Sequence, residues 1–131
     1  MTVRGKRRSP RRRVAPRWTM EEWQWANQLL AIRAGGRCER CGVDLTDGSR
    51  SVNRHHRQRR EVGGDRLANI LLLCGSGTTG CHGHVTVHPE EAVANGWSVK
   101  ALGGTDPALV PVRINGRLWL LDDAGGRRLI P

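Results

Sequence analysis

Four cysteines constrain the fold of this chain more than any other feature of the sequence. Cys38 and Cys41 form a Cys-x-x-Cys pair, and Cys74 and Cys81 follow more than thirty residues later. Two such pairs predict one tetrahedral thiolate site of the kind that binds Zn²⁺. Four thiolates leave no open position for water or substrate, so we expect a structural zinc ion. The alternatives are a simply buried Cys74 thiol, or two disulfides in a secreted protein.

The charge of the 131-residue chain is positive and unevenly distributed. The net charge is +10, and residues 1–17 hold eight of the 22 basic residues and no acidic one. This concentration of like charge predicts a disordered arm that binds nucleic-acid phosphates, with a merely solvated tail as the alternative. No apolar stretch has the length of a signal-peptide core or of a membrane span. We therefore expect a cytoplasmic protein with reduced thiols and no membrane partner.

The ordered part of the chain is predicted to begin with a capped helix. Thr19 is a typical N-cap residue, and Glu22 three residues later completes a capping box. Trp18 and Trp23 occupy the two positions of a hydrophobic staple. A glycine pair at 35–36 is predicted to end the helix.

Short strands and helices are predicted for the rest of the chain. Residues 51–56 and the apolar run 70–73 suit strands, a short helix follows Cys81, and Pro89 suits the first position of another helix. Asn115-Gly116 between two apolar stretches is a strong hairpin signal. A further turn adds residues 128–130 as a candidate third strand.

Four polar residues beside the cysteines predict a second site, and these are His55, His56, Asn69 and His82. His55 and His56 close a predicted strand, where consecutive side chains point to opposite faces. One histidine can therefore face a metal while the other faces a water. A neutral imidazole with a pKa of about 6.5 suits proton transfer at neutral pH. The alternative is a pair of solvated surface histidines and an asparagine that caps a turn.

The order and spacing of these residues resemble the HNH endonucleases, also called ββα-metal nucleases. The resemblance spans residues 35–88 and is carried by CERC, NRHH, VGGD, LANILLLC and GCHGHVTVHP. It implies that His55 and His82 bind a catalytic divalent metal ion. It also implies that His56 is the general base and that Asn69 fixes the loop that holds this base. The products of the family carry 5′-phosphate and 3′-hydroxyl ends.

The resemblance leaves the last ligand and the metal open. His88 is a candidate additional ligand, although Pro89 disfavours helical geometry at His88. His84, four residues before His88, is expected to be exposed. Imidazole ligands with open positions accept Mg²⁺, Mn²⁺, Ni²⁺ or Zn²⁺.

A basic cluster around the histidine pair predicts DNA as the partner. Arginine suits bidentate contacts to phosphate, and loop solubility is the alternative explanation. A narrower resemblance, to small HNH proteins of actinobacterial phages, implies a role in genome packaging or processing with proteins such as terminase. The predicted DNA-binding residues are Arg54, Arg57, Arg59 and Arg60.

Together these features predict a small α+β protein with a ββα-metal (HNH) core that a four-cysteine zinc site holds together. The expected organisation is a basic arm over 1–17, a nuclease domain with zinc knuckles over 18–100, and a C-terminal β-hairpin extension over 101–131 packed on the same domain. Two rivals are a zinc-containing nucleic-acid-binding protein without catalysis and a degenerate HNH protein that binds DNA but cuts poorly.

Overall fold

The order of helices and strands was determined from a computed structural model, which describes residues 18–131. The predicted basic arm over residues 1–17 lies outside the described residues. The helices are α1 Met20–Ala34, α2 Arg60–Gly63, α3 Gly80–Val87 and α4 Pro89–Ala94, with 3₁₀ turns at Leu67–Asn69 and Pro107–Leu109. The strands are β1 Val52–His56, β2 Ile70–Cys74, β3 Val112–Ile114, β4 Arg117–Leu121 and β5 Arg127–Leu129.

Helix α1 begins and ends at the residues that the sequence predicts. The backbone N–H of Glu22 donates to the Thr19 hydroxyl (3.2 Å), and the backbone N–H of Thr19 donates to the Glu22 carboxylate (3.1 Å). The rings of Trp18 and Trp23 meet edge to face with centroids 4.9 Å apart. Gly35 ends the helix in the left-handed region with φ 64°, a conformation that glycine adopts without steric cost. The capped helix is therefore confirmed.

Strand β2 lies between two apolar cores of the described residues. Leu71 belongs to a larger core together with Val85 of α3. Its neighbour Ile70 belongs to a smaller core together with Leu30 of α1. Alternate side chains of this strand therefore face α3 and α1 in turn, which explains why the sequence of β2 is apolar throughout.

The pairing of β1 with β2 decides where the two adjacent histidines face. The strands are antiparallel, with His55 opposite Leu71 and His56 opposite Ile70. Directly opposed residues of an antiparallel pair lie on the same face of the sheet. His55 therefore lies on the α3 side of the sheet and His56 on the α1 side.

The C-terminal region forms a second antiparallel sheet, ordered β3-β4-β5. Asn115 and Gly116 both have positive φ (47° and 83°), as a two-residue type I′ hairpin turn requires. Val112, Ile114 and Leu121 of this sheet are buried in the larger core beside Leu71. The predicted hairpin and α+β class are confirmed, and β5 supplies the third strand.

A buried ion pair, which the sequence did not reveal, joins α1 to the first cysteine pair. Arg33 donates twice to the carboxylate of Glu39 (3.0 and 2.7 Å), and both side chains are almost fully inaccessible. The same guanidinium donates to the carbonyls of Leu67 (2.8 Å) and Ile70 (2.5 Å). Glu39 lies between Cys38 and Cys41, so this network holds the cysteine turn against β2.

Within residues 18–131, no helix combines the length and the apolar character needed to cross a membrane.

Candidate metal centres and proton-transfer site

The four cysteines converge from the turn after α1, from the end of β2 and from the start of α3. Their Sγ atoms all lie within 4.8 Å of one another, and Cys41 Sγ is 3.8 Å from Cys74 Sγ. Tetrahedral thiolates about 2.3 Å from a zinc ion lie roughly 3.8 Å apart, so the spacing fits. All four are free thiols, and this cluster could hold a metal ion.

The surroundings of the cluster suit deprotonated sulfur. Backbone N–H groups point at two of the sulfur atoms: Cys74 N lies 3.3 Å from Cys38 Sγ, and Cys81 N lies 3.5 Å from Cys74 Sγ. Arg40 Nη1 donates to Cys81 Sγ (3.3 Å). Burial raises the pKa of the Cys81 thiol, and the Arg40 hydrogen bond opposes that rise. Bound metal would reverse the effect of burial, because thiolate is the ligand form.

The second pair of candidate ligands lies beside this cluster, between β1 and α3. The rings of His55 and His82 are in edge contact, with centroids 5.5 Å apart. His55 Nε2 lies 2.8 Å from the carbonyl oxygen of Trp97. The pKa of His55 is lowered to about 4, mainly by burial. The Trp97 hydrogen bond partly opposes this decrease, and the proximity of His82 contributes to it. His55 is therefore a neutral imidazole at physiological pH, the form that binds metals.

Two features of this histidine pair fit a metal ion. His55 can donate Nε2–H to the Trp97 carbonyl, which leaves the lone pair on Nδ1, and metal-binding histidines usually donate their other N–H in this way. His82 Nδ1 is buried and has no hydrogen-bond partner. Buried polar atoms without a hydrogen-bond partner are rare and destabilise the folded protein. A metal ion bound to this nitrogen would remove that destabilisation.

His56, on the opposite face of β1, forms a pair with an acid. Its Nε2 lies 2.9 Å from Asp65 Oδ1, and the Asp65 side chain is buried while the histidine keeps some exposure. Arg60 Nε donates to the same oxygen (2.8 Å). Burial raises the pKa of Asp65, but hydrogen bonds from Arg60 and His56 outweigh it and leave the pKa below its usual value. Asp65 is therefore an ionised acceptor that can fix the orientation of the His56 ring.

Asn69 braces the loop that follows His56. Its side-chain oxygen accepts from Gln58 N (2.7 Å), and its amide donates to the carbonyls of Gln58 (2.8 Å) and Gly64 (2.9 Å). The residue is completely buried. A Cβ added at Gly63 would lie 2.6 Å from the Asn69 amide nitrogen, so this loop accepts only glycine there without a shift. Asn69 makes no contact that suggests chemistry of its own.

The prediction that Arg57 contacts DNA is wrong. The residue is 2% exposed. Its guanidinium donates to four backbone carbonyls at 2.7 to 3.0 Å, those of Gly96, Ala68, Pro107 and Val110. Burial lowers its pKa to about 10, so it remains charged at neutral pH. Four of its five N–H donors join the end of β1 to the 3₁₀ turn before β2 and to the segments after α4, and the buried side chain is not accessible to a phosphate.

The other three predicted DNA contacts keep accessible side chains. Arg54 stacks over the ring of Trp23 at 3.9 Å from the centroid and donates to Asn27. Arg59 is mostly exposed beside Glu61, and Arg60 lies near the same Trp23 ring while it holds Asp65. Arg54 and Arg60 lie on the α1 side of the sheet, the side that His56 faces.

His88 lies away from the His55–His82 pair that it was predicted to join. It stacks instead on His84, with centroids 4.1 Å apart, and these two form a separate group with Glu91. Both are on the outer side of α3. The sequence placed three histidines within seven residues but gave no means to assign them to different faces before the helix bounds were known.

Sequence reasoning missed three contributors to these sites. The residue patterns did not single out Asp65 or Arg40, and a main-chain carbonyl such as that of Trp97 leaves no sequence signal. An acid nine residues after His56, within an otherwise basic loop, was the signal available for Asp65.

Comparison with protein-family models, with curated proteins and with solved structures found no match to this chain.

Proposed function

We propose that this chain is a metal-dependent HNH (ββα-metal) endonuclease that hydrolyses phosphodiester bonds of DNA. The observation that carries the proposal is the split of His55 and His56 across β1. His55 faces His82, whose buried Nδ1 has no partner, while His56 faces the ionised Asp65. A non-catalytic zinc protein needs neither the orphaned imidazole nor the oriented one.

His56 acts as the general base. With Nε2–H donated to Asp65, the Nδ1 lone pair of the ring accepts a proton from the attacking water. The carboxylate holds the tautomer and favours the imidazolium that forms. The water oxygen then attacks phosphorus and the bond to the 3′ oxygen breaks. That oxygen takes up a proton from solvent, so the products are a 5′-phosphate and a 3′-hydroxyl.

His55 and His82 hold the catalytic divalent cation, one of Mg²⁺, Mn²⁺, Ni²⁺ or Zn²⁺. A cation bound there would act as a Lewis acid that stabilises charge on the phosphate and the leaving oxygen. The Trp97 carbonyl orients His55, and Asn69 keeps the loop after His56 in place. Two imidazoles leave positions open for substrate and water, whereas the four cysteines leave none.

The four-cysteine cluster holds a structural Zn²⁺. Sulfur is the ligand type that selects zinc over magnesium, and the spacing of the sulfur atoms fits a tetrahedral site. The cluster fixes the start of α3 at Cys81, next to His82, and the end of β2 at Cys74. The zinc would therefore hold in register the two elements that position the histidine pair.

DNA crosses the end of β1, where the phosphate can reach both His56 on the α1 side and the His55–His82 pair on the α3 side. Arg54, Arg59 and Arg60 supply phosphate contacts near His56, and the basic residues 1–17 add attraction that does not depend on base sequence. We propose a place in phage genome packaging or processing, with terminase-like partners, on the sequence resemblance alone.

The test is cleavage of supercoiled plasmid by the full chain, carrying the zinc of its cysteine cluster, without added metal and with Mg²⁺, Mn²⁺, Ni²⁺ or Zn²⁺. We expect nicking or linearisation that requires added metal, and His56→Ala should lower the rate by about 10²- to 10⁴-fold. Circular dichroism and a gel-shift assay establish that the variant still folds and binds DNA. DNA binding without cleavage under any metal would instead identify a zinc-containing DNA-binding protein.

A further inference from the structure

A second group of metal-binding side chains lies on the outer side of the α3–α4 junction. The ring nitrogens of His84 and His88 and a carboxylate oxygen of Glu91 all lie within 4.8 Å of one another. His84 Nε2 is 2.7 Å from Glu91 Oε2, and the two imidazole rings stack at 4.1 Å with 22° between their planes. Nothing in the proposed nuclease mechanism uses these three residues.

The helix geometry produces this arrangement. His84 and His88 are four residues apart, so they lie on the same face one turn apart, and Glu91 follows one further turn on. Pro89 begins α4, yet the chain keeps helical hydrogen bonding through the junction, with His88 N donating to His84 O and Ala92 N donating to His88 O, both at 2.9 Å. His88 itself is not helical (φ −118°, ψ 69°), but the three side chains still converge on one side of the junction.

Hydrogen bonds around the group already orient it. His88 Nδ1 lies 3.0 Å from the backbone carbonyl of His84, so it donates there and leaves the Nε2 lone pair free. Metal-binding histidines commonly donate their other N–H to a carbonyl in this manner. The second oxygen of Glu91 lies 3.8 Å from Arg40 Nη2. The ring of His88 and the carboxylate of Glu91 are therefore oriented by partners within the protein.

The group is distinct from both sites described above. His82 lies about 240° around the helix from His88, at 100° per residue, and it faces the interior. His82 Nδ1 is buried, whereas the side chains of His84 and Glu91 are 32% and 44% exposed. Arg40 lies between the group and the cysteine cluster, because the same guanidinium that approaches Glu91 also donates to Cys81 Sγ.

We propose that His84, His88 and Glu91 form a third, surface-exposed site for a divalent transition-metal ion such as Zn²⁺, Ni²⁺, Co²⁺ or Cu²⁺. Two imidazoles and one carboxylate are ligands that these borderline ions accept, whereas Mg²⁺ and Ca²⁺ prefer oxygen ligands. On binding, the cation takes the place of the proton between His84 Nε2 and Glu91 Oε2. The remaining positions face solvent and are open to water or to a ligand from another molecule.

An ordinary explanation exists for the same contacts, namely a surface histidine–glutamate ion pair with a second histidine stacked on it. Such a pair needs only His84 and Glu91. It gives His88 no role, so a metal affinity that depends on His88 separates the two explanations.

The experiment is a calorimetric titration of Ni²⁺ and of Mg²⁺ into the full chain carrying the zinc of its cysteine cluster, in a His82→Ala background that removes the interior histidine pair. We expect one Ni²⁺ per chain and no Mg²⁺. Even the loss of a hydrogen-bond partner of a metal ligand costs about 10- to 100-fold in affinity. Loss of a ligand should cost at least as much, so adding His88→Ala should weaken Ni²⁺ binding by ~100-fold or more.

Adding Glu91→Gln instead is expected to weaken Ni²⁺ binding as well, with the fold of every variant checked by circular dichroism. Equal Ni²⁺ affinity with and without His88 would overturn the proposal, as would the absence of any Ni²⁺ binding in the His82→Ala protein. Neither outcome bears on DNA cleavage, since the site does not rest on the proposed nuclease function.

Discussion

Two histidine pairs that involve the same short helix, α3, have different surroundings. His82 faces inward from α3, in edge contact with His55, and burial keeps His55 neutral with a pKa of about 4. His84 and His88 face outward from the same helix, stacked on each other and next to the exposed Glu91. The inner pair is half-buried and includes a buried nitrogen without a hydrogen-bond partner, whereas the outer pair is hydrogen bonded and includes the exposed His88.

The difference shows that spacing within the segment Cys81–His88 does not by itself distinguish metal ligands. Each residue of an α-helix advances the side chain by about 100°, so a change of two positions moves a histidine to a different face. The inner pair also depends on a strand and on a distant carbonyl, while all ligands of the outer pair come from one helical face. The two should therefore respond differently to distant substitutions.

Removing the proposed zinc ion of the cysteine cluster is expected to have the largest effect, because unfolding would abolish the difference between the two histidine pairs. Structural zinc contributes an apparent ~10–16 kcal/mol of binding free energy in small domains, more than a domain of this size retains as net stability. Cys38→Ser or zinc removal by a chelator should therefore eliminate cooperative thermal unfolding, measured by circular dichroism. Adding Zn²⁺ back should restore it in the wild type only. A cooperative transition in the zinc-free protein would contradict the prediction.

Arg57→Met is expected to have the next largest effect on stability. Of the two histidine pairs, it should perturb only His55–His82. Four backbone carbonyls would lose their donor, at about 1–3 kcal/mol for each that stays buried without a partner, so we expect ~3–6 kcal/mol of lost stability in urea unfolding. One of these carbonyls belongs to Gly96, next to the Trp97 that holds His55. Arg59→Met, at an exposed ion pair, is the matched control and should change stability by no more than ~0.5 kcal/mol.

Cleavage assays on single histidine variants sharpen the comparison, on the proposed nuclease function. His82→Ala removes a ligand of the proposed catalytic ion and should lower the cleavage rate by ~100-fold or more at fixed metal concentration. His88→Ala should cost much less, since it lies on the other face of α3. Equal losses in the two variants would show that the outer histidines serve the cleavage site after all.

Asp65→Asn tests His56, the histidine that belongs to neither pair. The amide can still contact His56 but no longer stabilises an imidazolium, so we expect kcat to fall by about 10- to 100-fold with little change in KM. Arg60→Gln removes the other partner of Asp65 and a proposed phosphate contact, and it should mainly raise KM. A reversed pattern would argue that Asp65 only shapes the DNA surface.

The smallest effect concerns the titration of His55 in protein that carries metal only at its cysteines. Because burial lowers its folded pKa from 6.5 to about 4, the stabilisation from the neutral ring is full above pH 6.5. It is lost as pH falls from 6.5 towards about 4, since the unfolded chain takes up the proton first. NMR of the ring protons should show His55 still neutral at pH 5, and a midpoint near 6.5 would refute its burial.

Much of the local structure was predictable, because it rests on short-range rules. Thr19 with Glu22, Pro89, and Asn115-Gly116 each specify a cap or turn through contacts within four residues, and each lies where expected. The cysteine cluster was predictable too, because two such cysteine pairs are a common ligand set of a structural metal site. His55 and His56 were correctly expected to face opposite sides of a strand, which follows from the period of two.

Arg57 and Asp65 show what could not be predicted. Both lie in a polar loop whose composition is typical of a solvated surface, yet one guanidinium is buried among four carbonyls and one carboxylate is buried between His56 and Arg60. The carbonyl partners of Arg57 come from segments up to fifty-three residues away, which no pattern within the loop encodes. Asp65 is bound by the nearby His56 and Arg60, but its burial depends on how the loop folds against the sheet.

The sequence by itself determined the capped helix, the hairpin, the four-thiol cluster and the set of histidines from which a site can be built. Each follows from local geometry or from the chemistry of one residue type. The tertiary structure alone decided which histidines form a pair, which arginine is buried and which acid orients His56. Those outcomes depend on the face that β1 and α3 turn toward each other, and that face is set when the apolar residues of β2 pack between α1 and α3.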